Sequence, residues 1–269
     1  MNPRRYDHFQ SLRHESIRER GFVIQPFTDD LRAVAFDLDW TLSYYPLSTQ
    51  QVLEQALIHS QLPIGHLGDL TVAARRYNEL WLKLERSVES LDDLRIQIMT
   101  LLFEEQGFSD VATISRVSLA YEDVRSESGV LAYPDIDTLL ADLQSRYKLG
   151  MYTNGPSFLQ WKKIEALGFN RFFDAIIVAG DVGVYKPDPQ AFALLSEALG
   201  VPASETLFVG DNFQADIVGA QRAGMYTAWI KHKQDVVIDG IQSSERLEAE
   251  RIQPTFVLSE TSRLREVLL

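Results

Sequence analysis

Short apolar runs and amphipathic stretches divide this chain into blocks of different period. Ala33-Val34-Ala35-Phe36 is a tight apolar run closed by Asp37-Leu38-Asp39, which predicts a short buried strand. From Pro46 to Gly129 the rhythm is helical. Ser48 and Gln51 have the spacing of a capping box ahead of Val52, Leu53, Ala56 and Leu57. Ala73, Tyr77, Leu80, Trp81, Leu84 and Val88 recur every three to four residues, the mark of an amphipathic helix. Leu94, Ile98, Leu101 and Leu102 predict a third helix that stops before Gly107, and the residues after Asp110 supply a fourth. No strand pattern interrupts this block.

After Gly129 strands and helices alternate. Leu149 to Thr153, Ala175 to Val178, Leu207 to Val209, Tyr226 to Ile230 and Thr255 to Leu258 read as strands. Helices are expected around Ile136 to Leu143, up to Leu167, over Ala191 to Leu199 and up to Ala223, with Gly168 and Gly200 as C-terminal caps. This alternation predicts an α/β fold, a Rossmann-like parallel sheet flanked by helices. The sheet domain is expected to use residues 1–45 and 130–269, with 1–30 as an N-terminal extension and 46–129 as an inserted α-helical domain. In such a sheet, ligands bind beyond the carboxyl ends of the strands.

Composition narrows the function classes. The 269 residues are 45% hydrophobic and 24% charged, ordinary globular usage. The absence of cysteine excludes disulfides, thiol nucleophiles and thiolate metal sites. With 26 basic and 38 acidic residues the net charge is −12, which disfavours nucleic-acid polymers as partners. No apolar run is long enough for a membrane span, and the arginine-containing N-terminus has no apolar segment behind it, so a cytoplasmic location is expected.

The residues that follow the strands carry the chemistry. The first strand runs into Asp37-Leu38-Asp39-Trp40-Thr41, and another into Thr153-Asn154-Gly155. A third is followed by Lys186-Pro187-Asp188-Pro189, and a fourth by Gly210-Asp211 with Asp216 five positions on. A parallel sheet gathers these segments at one edge. Carboxylates so close raise one another's pKa. A hard divalent cation resolves the conflict, and magnesium combines one or two carboxylates with phosphate oxygens and water. Thr153 and Asn154 offer donors to phosphate oxygens, and Lys186 a charge to neutralise the transferring group. The pattern points to metal-assisted phosphoryl transfer with a carboxylate available as nucleophile.

DLDWT, TNG, the lysine of YKPDP and GDNFQAD, in that order, resemble the four motifs of the haloacid dehalogenase superfamily. The resemblance runs from about residue 33 to the C-terminus. It implies that Asp37 is the nucleophile and that Asp39 is the general acid and then the base. It implies phosphate binding by Thr153, Asn154 and Gly155, and charge neutralisation by Lys186. Magnesium would be held by Asp37, the Asp39 carbonyl and Asp211, with Thr41 and Asp216 in support. Asp216 would back either the metal's waters or Lys186. The helical block is similar to a cap inserted after the first strand, which implies a lid that excludes water. Trp40 departs from the pattern, which has a small or acidic residue there, and is expected to shape the leaving-group pocket.

The implied function is a magnesium-dependent phosphatase hydrolysing a small phosphorylated metabolite through an aspartyl-phosphate. A phosphoglucomutase-like phosphotransferase would use the same nucleophile with another acceptor. Dehalogenases of the superfamily need no metal and lack the second carboxylate of the first motif, so Asp39 argues against that activity. A catalytically silent binding module on the same fold is disfavoured because every motif position is filled.

Overall fold

The computed structural model describes residues 30–85, 87–88, 90–231 and 253–269, so all but the last residue of the expected N-terminal extension lies outside the described residues. Two compact units emerge. One comprises the described residues up to Leu42, Ala132–Asn154 and those from Phe169 on; the other comprises Ser43–Leu131 and Gly155–Gly168.

Strands are numbered in chain order as β1 (Ala33–Phe36), β2 (Ser43–Tyr44), β3 (Leu131–Ala132), β4 (Lys148–Thr153), β5 (Ala175–Val178), β6 (Thr206–Gly210), β7 (Tyr226–Ile230) and β8 (Phe256–Leu258). The first unit carries α5 (Ile136–Gln144), α7 (Ala179–Val182), α8 (Pro189–Leu199), α9 (Gly219–Arg222) and α10 (Arg265–Leu268). The second carries α1 (Thr49–His59), α2 (Leu70–Leu84), α3 (Leu91–Glu105), α4 (Val111–Ser128) and α6 (Ser157–Ala166). β2 and β3 pair in a ribbon of their own.

The first unit is built on a six-stranded sheet in the order β5-β4-β1-β6-β7-β8, and every pairing in it is parallel. The chain moves from β1 outward through β4 and β5, then crosses back to lay β6, β7 and β8 on the other side. β1 is therefore the switch point, where neighbouring crossovers diverge and leave a crevice. Phe36 is in register with Met151 on one side and Val209 on the other, which levels the strand ends around Asp37.

The strand period sorts the core. Ala33, Ala35, Tyr152 and Phe208 pack with Ala191, Phe192, Leu195 and Leu199 of α8. The alternating residues Val34, Phe36, Leu149, Met151, Leu207 and Val209 are also buried, so both sheet faces are covered. α8 starts with Asp188 accepting the Gln190 N–H at 2.9 Å and Pro189 in the first turn, and it ends at Gly200 with φ 63°.

In the second unit α1 to α4 share an apolar core that includes Leu53, Leu57, Tyr77, Leu80, Ile98, Phe103, Val117 and Tyr121. Each of the four helices has a side-chain cap, from Ser48, Asp69, Ser90 and Asp110, and the Ser48–Gln51 capping box is formed in both directions. Such caps are worth about 1 kcal/mol each. α6 groups with these helices, and its Lys163 ammonium lies 5.3 Å from the centre of the Tyr45 ring. Periodicity alone assigns α6 to the sheet domain, because it follows a strand and precedes another. Among the described residues, no helix is long and apolar enough to cross a membrane.

Candidate active site

The loops that leave β1, β4 and β6 converge on the switch point. Asp37 directly follows β1, Thr153 ends β4 and Asp211 directly follows β6. Lys186 comes from the loop between α7 and α8, and it is 3% exposed. Its ammonium donates to Asp37 Oδ1 and to Asp216 Oδ1, both at 2.7 Å. One face of the ammonium lies 5.0 Å from the Phe208 ring centre.

Asn154 explains how the lysine is held. Its side-chain Oδ1 accepts the Lys186 backbone N–H at 2.9 Å, and its Nδ2 donates to the Lys186 carbonyl at 3.0 Å. The amide that the sequence pattern assigns to phosphate thus clamps the backbone of the lysine. Thr153 is buried and its hydroxyl donates to the Asn154 carbonyl at 3.2 Å. Gly155 follows with φ 118°, a backbone conformation that favours glycine.

Asp216 sits on a six-residue π-helical stretch, Phe213–Val218. The wider turn brings its carboxylate back toward Asn212, whose N–H donates to Asp216 Oδ2 at 3.0 Å. Both carboxylate oxygens are thereby engaged, one by Lys186 and one by backbone. Of the two supports expected of Asp216, the geometry gives the lysine contact. Asp39 and Trp40 follow Asp37 in the loop, and Asp39 is half-buried. Trp40 is 41% exposed and has φ 60°, an uncommon backbone conformation for a bulky residue.

Ligand atoms of Asp37, Asp211 and Asp216 lie within 4.8 Å of one another. Three carboxylates against one ammonium leave two negative charges in a desolvated space. Burial is the main force raising the Asp37 pKa to about 7; Lys186 opposes it, and Asp216 adds to it. Burial also pushes Asp211 well above the usual carboxylate range, helped by Asp37 and Asp216. Burial alone would pull the Lys186 ammonium down, but Asp216 and Asp37 outweigh it and hold its pKa above the usual lysine value. The donor set is all oxygen, hard and short of positive charge, which fits a hard divalent cation.

Trp229 and Thr41 contact Asp211; the motifs give Thr41 as a support, and they miss Trp229 and the Thr261 that holds Thr41. The Trp229 indole N–H donates to the Asp211 carbonyl at 2.9 Å. Thr41 Oγ1 lies 3.4 Å from Asp211 Oδ1, and the Thr41 carbonyl accepts the Thr261 hydroxyl at 2.6 Å. Trp229 is legible once β7 is known to lie beside β6, since Gly210 is in register with Trp229. Thr261 has no local signal at all.

Gly210 makes the close approach to Asp216 possible. A Cβ at Gly210 would collide with the Asp216 side chain, including its Cβ, and that side chain is 1% exposed and tied at both oxygens. Gly210→Ala is therefore expected to destabilise the sheet unit by about 1–3 kcal/mol, the usual scale of overpacking. Chemical denaturation measures it, and an unchanged midpoint would contradict the packing described.

A sequence model described as haloacid dehalogenase-like hydrolase matches residues 31–224. The chain belongs to that family. It is 32% identical over 206 residues to the glyceraldehyde 3-phosphate phosphatase of Methanopyrus kandleri, covering 75% of this chain and 84% of that protein. It is 27% identical over 246 residues to the enzyme of the same name from Methanothermobacter thermautotrophicus, covering 88% of this chain and all of that one. Among solved structures, the fold is similar to that of the hydrolase YfnB from Bacillus subtilis bound to magnesium. That pair has a TM-score of 0.64 and 24% identity, over 88% of this chain and 98% of the other. It is similar also to L-2-haloacid dehalogenase from Xanthobacter autotrophicus, with TM-score 0.60 and 21% identity over 88% and 98% of the two chains. These two likenesses show the fold alone, so the chemistry is argued from the site residues.

Proposed function

We propose that the chain is a magnesium-dependent phosphatase of small phosphomonoesters, working through an aspartyl-phosphate on Asp37. The observation that carries this reading is the Lys186 ammonium bridging Asp37 and Asp216 at 2.7 Å, beside Asp211 at the switch point of the sheet. Names of relatives such as glyceraldehyde 3-phosphate phosphatase, phosphoserine phosphatase and phosphoglycolate phosphatase support a small phosphorylated metabolite as substrate.

In this reading Asp37 attacks phosphorus while the bond to the leaving oxygen breaks. Asp39 gives that oxygen a proton. Asp39 then takes a proton from water, which attacks the aspartyl-phosphate and releases inorganic phosphate and Asp37. Lys186 orients the Asp37 carboxylate by donating to Oδ1, and offsets charge on the phosphoryl group. Thr153 and the Gly155 turn supply phosphate contacts. Asp37, Asp211 and the Asp39 carbonyl would hold magnesium, which neutralises phosphoryl oxygens when bound. Asp216 is left out of that set because Lys186 and the Asn212 N–H occupy both its oxygens.

Magnesium must compete with protons at these ligands. Below the Asp37 pKa of about 7 the carboxyl holds a proton, so affinity is expected to rise as pH goes from 6 to 8. Calorimetry in buffers of different ionisation enthalpy reads this, and affinity independent of pH with no proton release would contradict it. The function itself is tested by phosphate release from a panel of phosphometabolites, with magnesium and with chelator. Metal-dependent release is expected; release that survives complete chelation would overturn the proposal.

A further inference from the structure

The loop that carries Lys186 has no regular structure to hold it. It runs from Gly183 to Asp188, between α7 and α8. Gly183, Pro187 and Asp188 are exposed, Val184 and Tyr185 are half-buried, and Lys186 alone in the loop is buried. A lysine stem is four carbons long and flexible. Its ammonium therefore stays on two carboxylates only as far as the lysine backbone is itself held.

Three hydrogen bonds from the end of β4 do the holding. The Tyr152 hydroxyl donates to the Val184 carbonyl at 2.8 Å. Asn154 accepts the Lys186 N–H at 2.9 Å and donates to the Lys186 carbonyl at 3.0 Å. A turn bond from the Asp188 N–H to the Tyr185 carbonyl, at 2.9 Å, closes the loop. Tyr152 is fully buried and packs in the sheet core with Ala33, Ala35, Phe192 and Leu195. Burial pushes its phenol up to about 12, so the hydroxyl remains a donor at neutral pH.

Tyr152 and Asn154 are two positions apart, the spacing that turns side chains to one face of an extended chain. Both reach the same loop. Thr153, between them, belongs to the opposite face by the same period. The end of β4 thus has two jobs on two faces, and the amide of Asn154 is engaged on the lysine side.

We infer that Asn154 and Tyr152 are positioning residues, which together place the Lys186 backbone so that its ammonium reaches Asp37 and Asp216. Asn154 serves phosphoryl transfer through the lysine, in place of the direct phosphate contact that the motif pattern gives it. That second statement rests on the phosphatase reading above; the placement of the lysine does not.

The placement is tested without turnover by acetylating the full chain with N-hydroxysuccinimide acetate and reading each lysine by peptide mass spectrometry. Held at two carboxylates, Lys186 of the wild type is expected to react far more slowly than the exposed Lys162. In Asn154→Ala the Lys186 rate should rise by about tenfold or more, the scale of lost hydrogen bonds to a buried residue. Amide hydrogen exchange in β1 and β6 should stay at the wild-type rate. Tyr152→Phe keeps the ring and removes only the hydroxyl; it should give a smaller rise of the same kind, and it carries the test should Asn154→Ala not fold. Lys186 as well protected as in the wild type, in every variant that folds, overturns the inference. Labelling that rises together with exchange in β1 and β6 overturns it too, because the sheet unit has then loosened as a whole.

Hydrolysis of p-nitrophenyl phosphate with magnesium tests the catalytic consequence. Asn154→Ala is expected to lower kcat/KM by about ten- to a hundredfold, the scale on which a small misplacement of a reacting group acts. Tyr152→Phe is expected to lower it as well, by less, although its hydroxyl is buried against Val184 and away from phosphate. Activity lost in Asn154→Ala while Lys186 stays protected and Tyr152→Phe is fully active would make Asn154 a phosphate ligand and overturn the inference. A wild-type chain that releases no phosphate counts against the phosphatase reading and leaves the placement of the lysine to the labelling result.

Discussion

Asp37→Asn is expected to lower phosphate release by about 10⁴-fold or more, the scale on which loss of a nucleophile acts in other enzymes. The variant should fold. Asparagine has the same shape, and its amide oxygen can still accept from the Lys186 ammonium, which also keeps Asp216 at 2.7 Å. Burial raises the Asp37 pKa to about 7, so the ionised carboxylate is a strained guest in the ion-free protein. Replacing it removes a buried charge beside two other carboxylates, and thermal stability without metal is expected to hold or rise. Magnesium affinity should fall at the same time, because one charged ligand is gone. A variant that hydrolyses substrate at more than a hundredth of the wild-type rate would contradict the role given to Asp37.

Lys186→Met has the opposite profile. It removes the ammonium that touches both Asp37 and Asp216 and leaves their carboxylates facing each other in a buried space. Removing one partner of a buried ion pair costs about 3–5 kcal/mol. The sheet unit is expected to lose stability on that scale, along with activity. A second substitution, Asp216→Asn, should restore much of the stability and none of the activity. Denaturant unfolding of the single and double variants, each with a phosphate-release assay, measures both effects. A Lys186→Met protein as stable as wild type would show that the ammonium does not offset those carboxylates.

The sheet was legible because its signals are local. Four apolar residues before Asp37 make β1, and Gly200 after Leu199 closes α8. Alternation of strands and helices then implies one parallel sheet, and with it the gathering of Asp37, Thr153 and Asp211 at a common edge. Lys186 and Asp216 were legible by spacing but not in their manner of holding. Next to Tyr185 and Pro187 the lysine reads as an ordinary loop residue, yet it is buried because Asn154 grips both of its backbone groups. Asp216 reads as a position on an exposed helix, yet the π-helical turn draws it inward. Thr261 was out of reach, since its partner Thr41 lies 220 residues away and nothing around Thr261 marks it.

The measurement that bears most directly on the account is reductive trapping of the intermediate. The enzyme is mixed with a substrate it hydrolyses and magnesium, quenched in acid and treated with borohydride, which reduces an acyl phosphate to the alcohol. Peptide mass spectrometry is expected to find homoserine at position 37 and aspartate unchanged at positions 39, 211 and 216. Homoserine at any of those three positions, or full turnover with no trapped residue, would contradict the assignment of Asp37 as nucleophile.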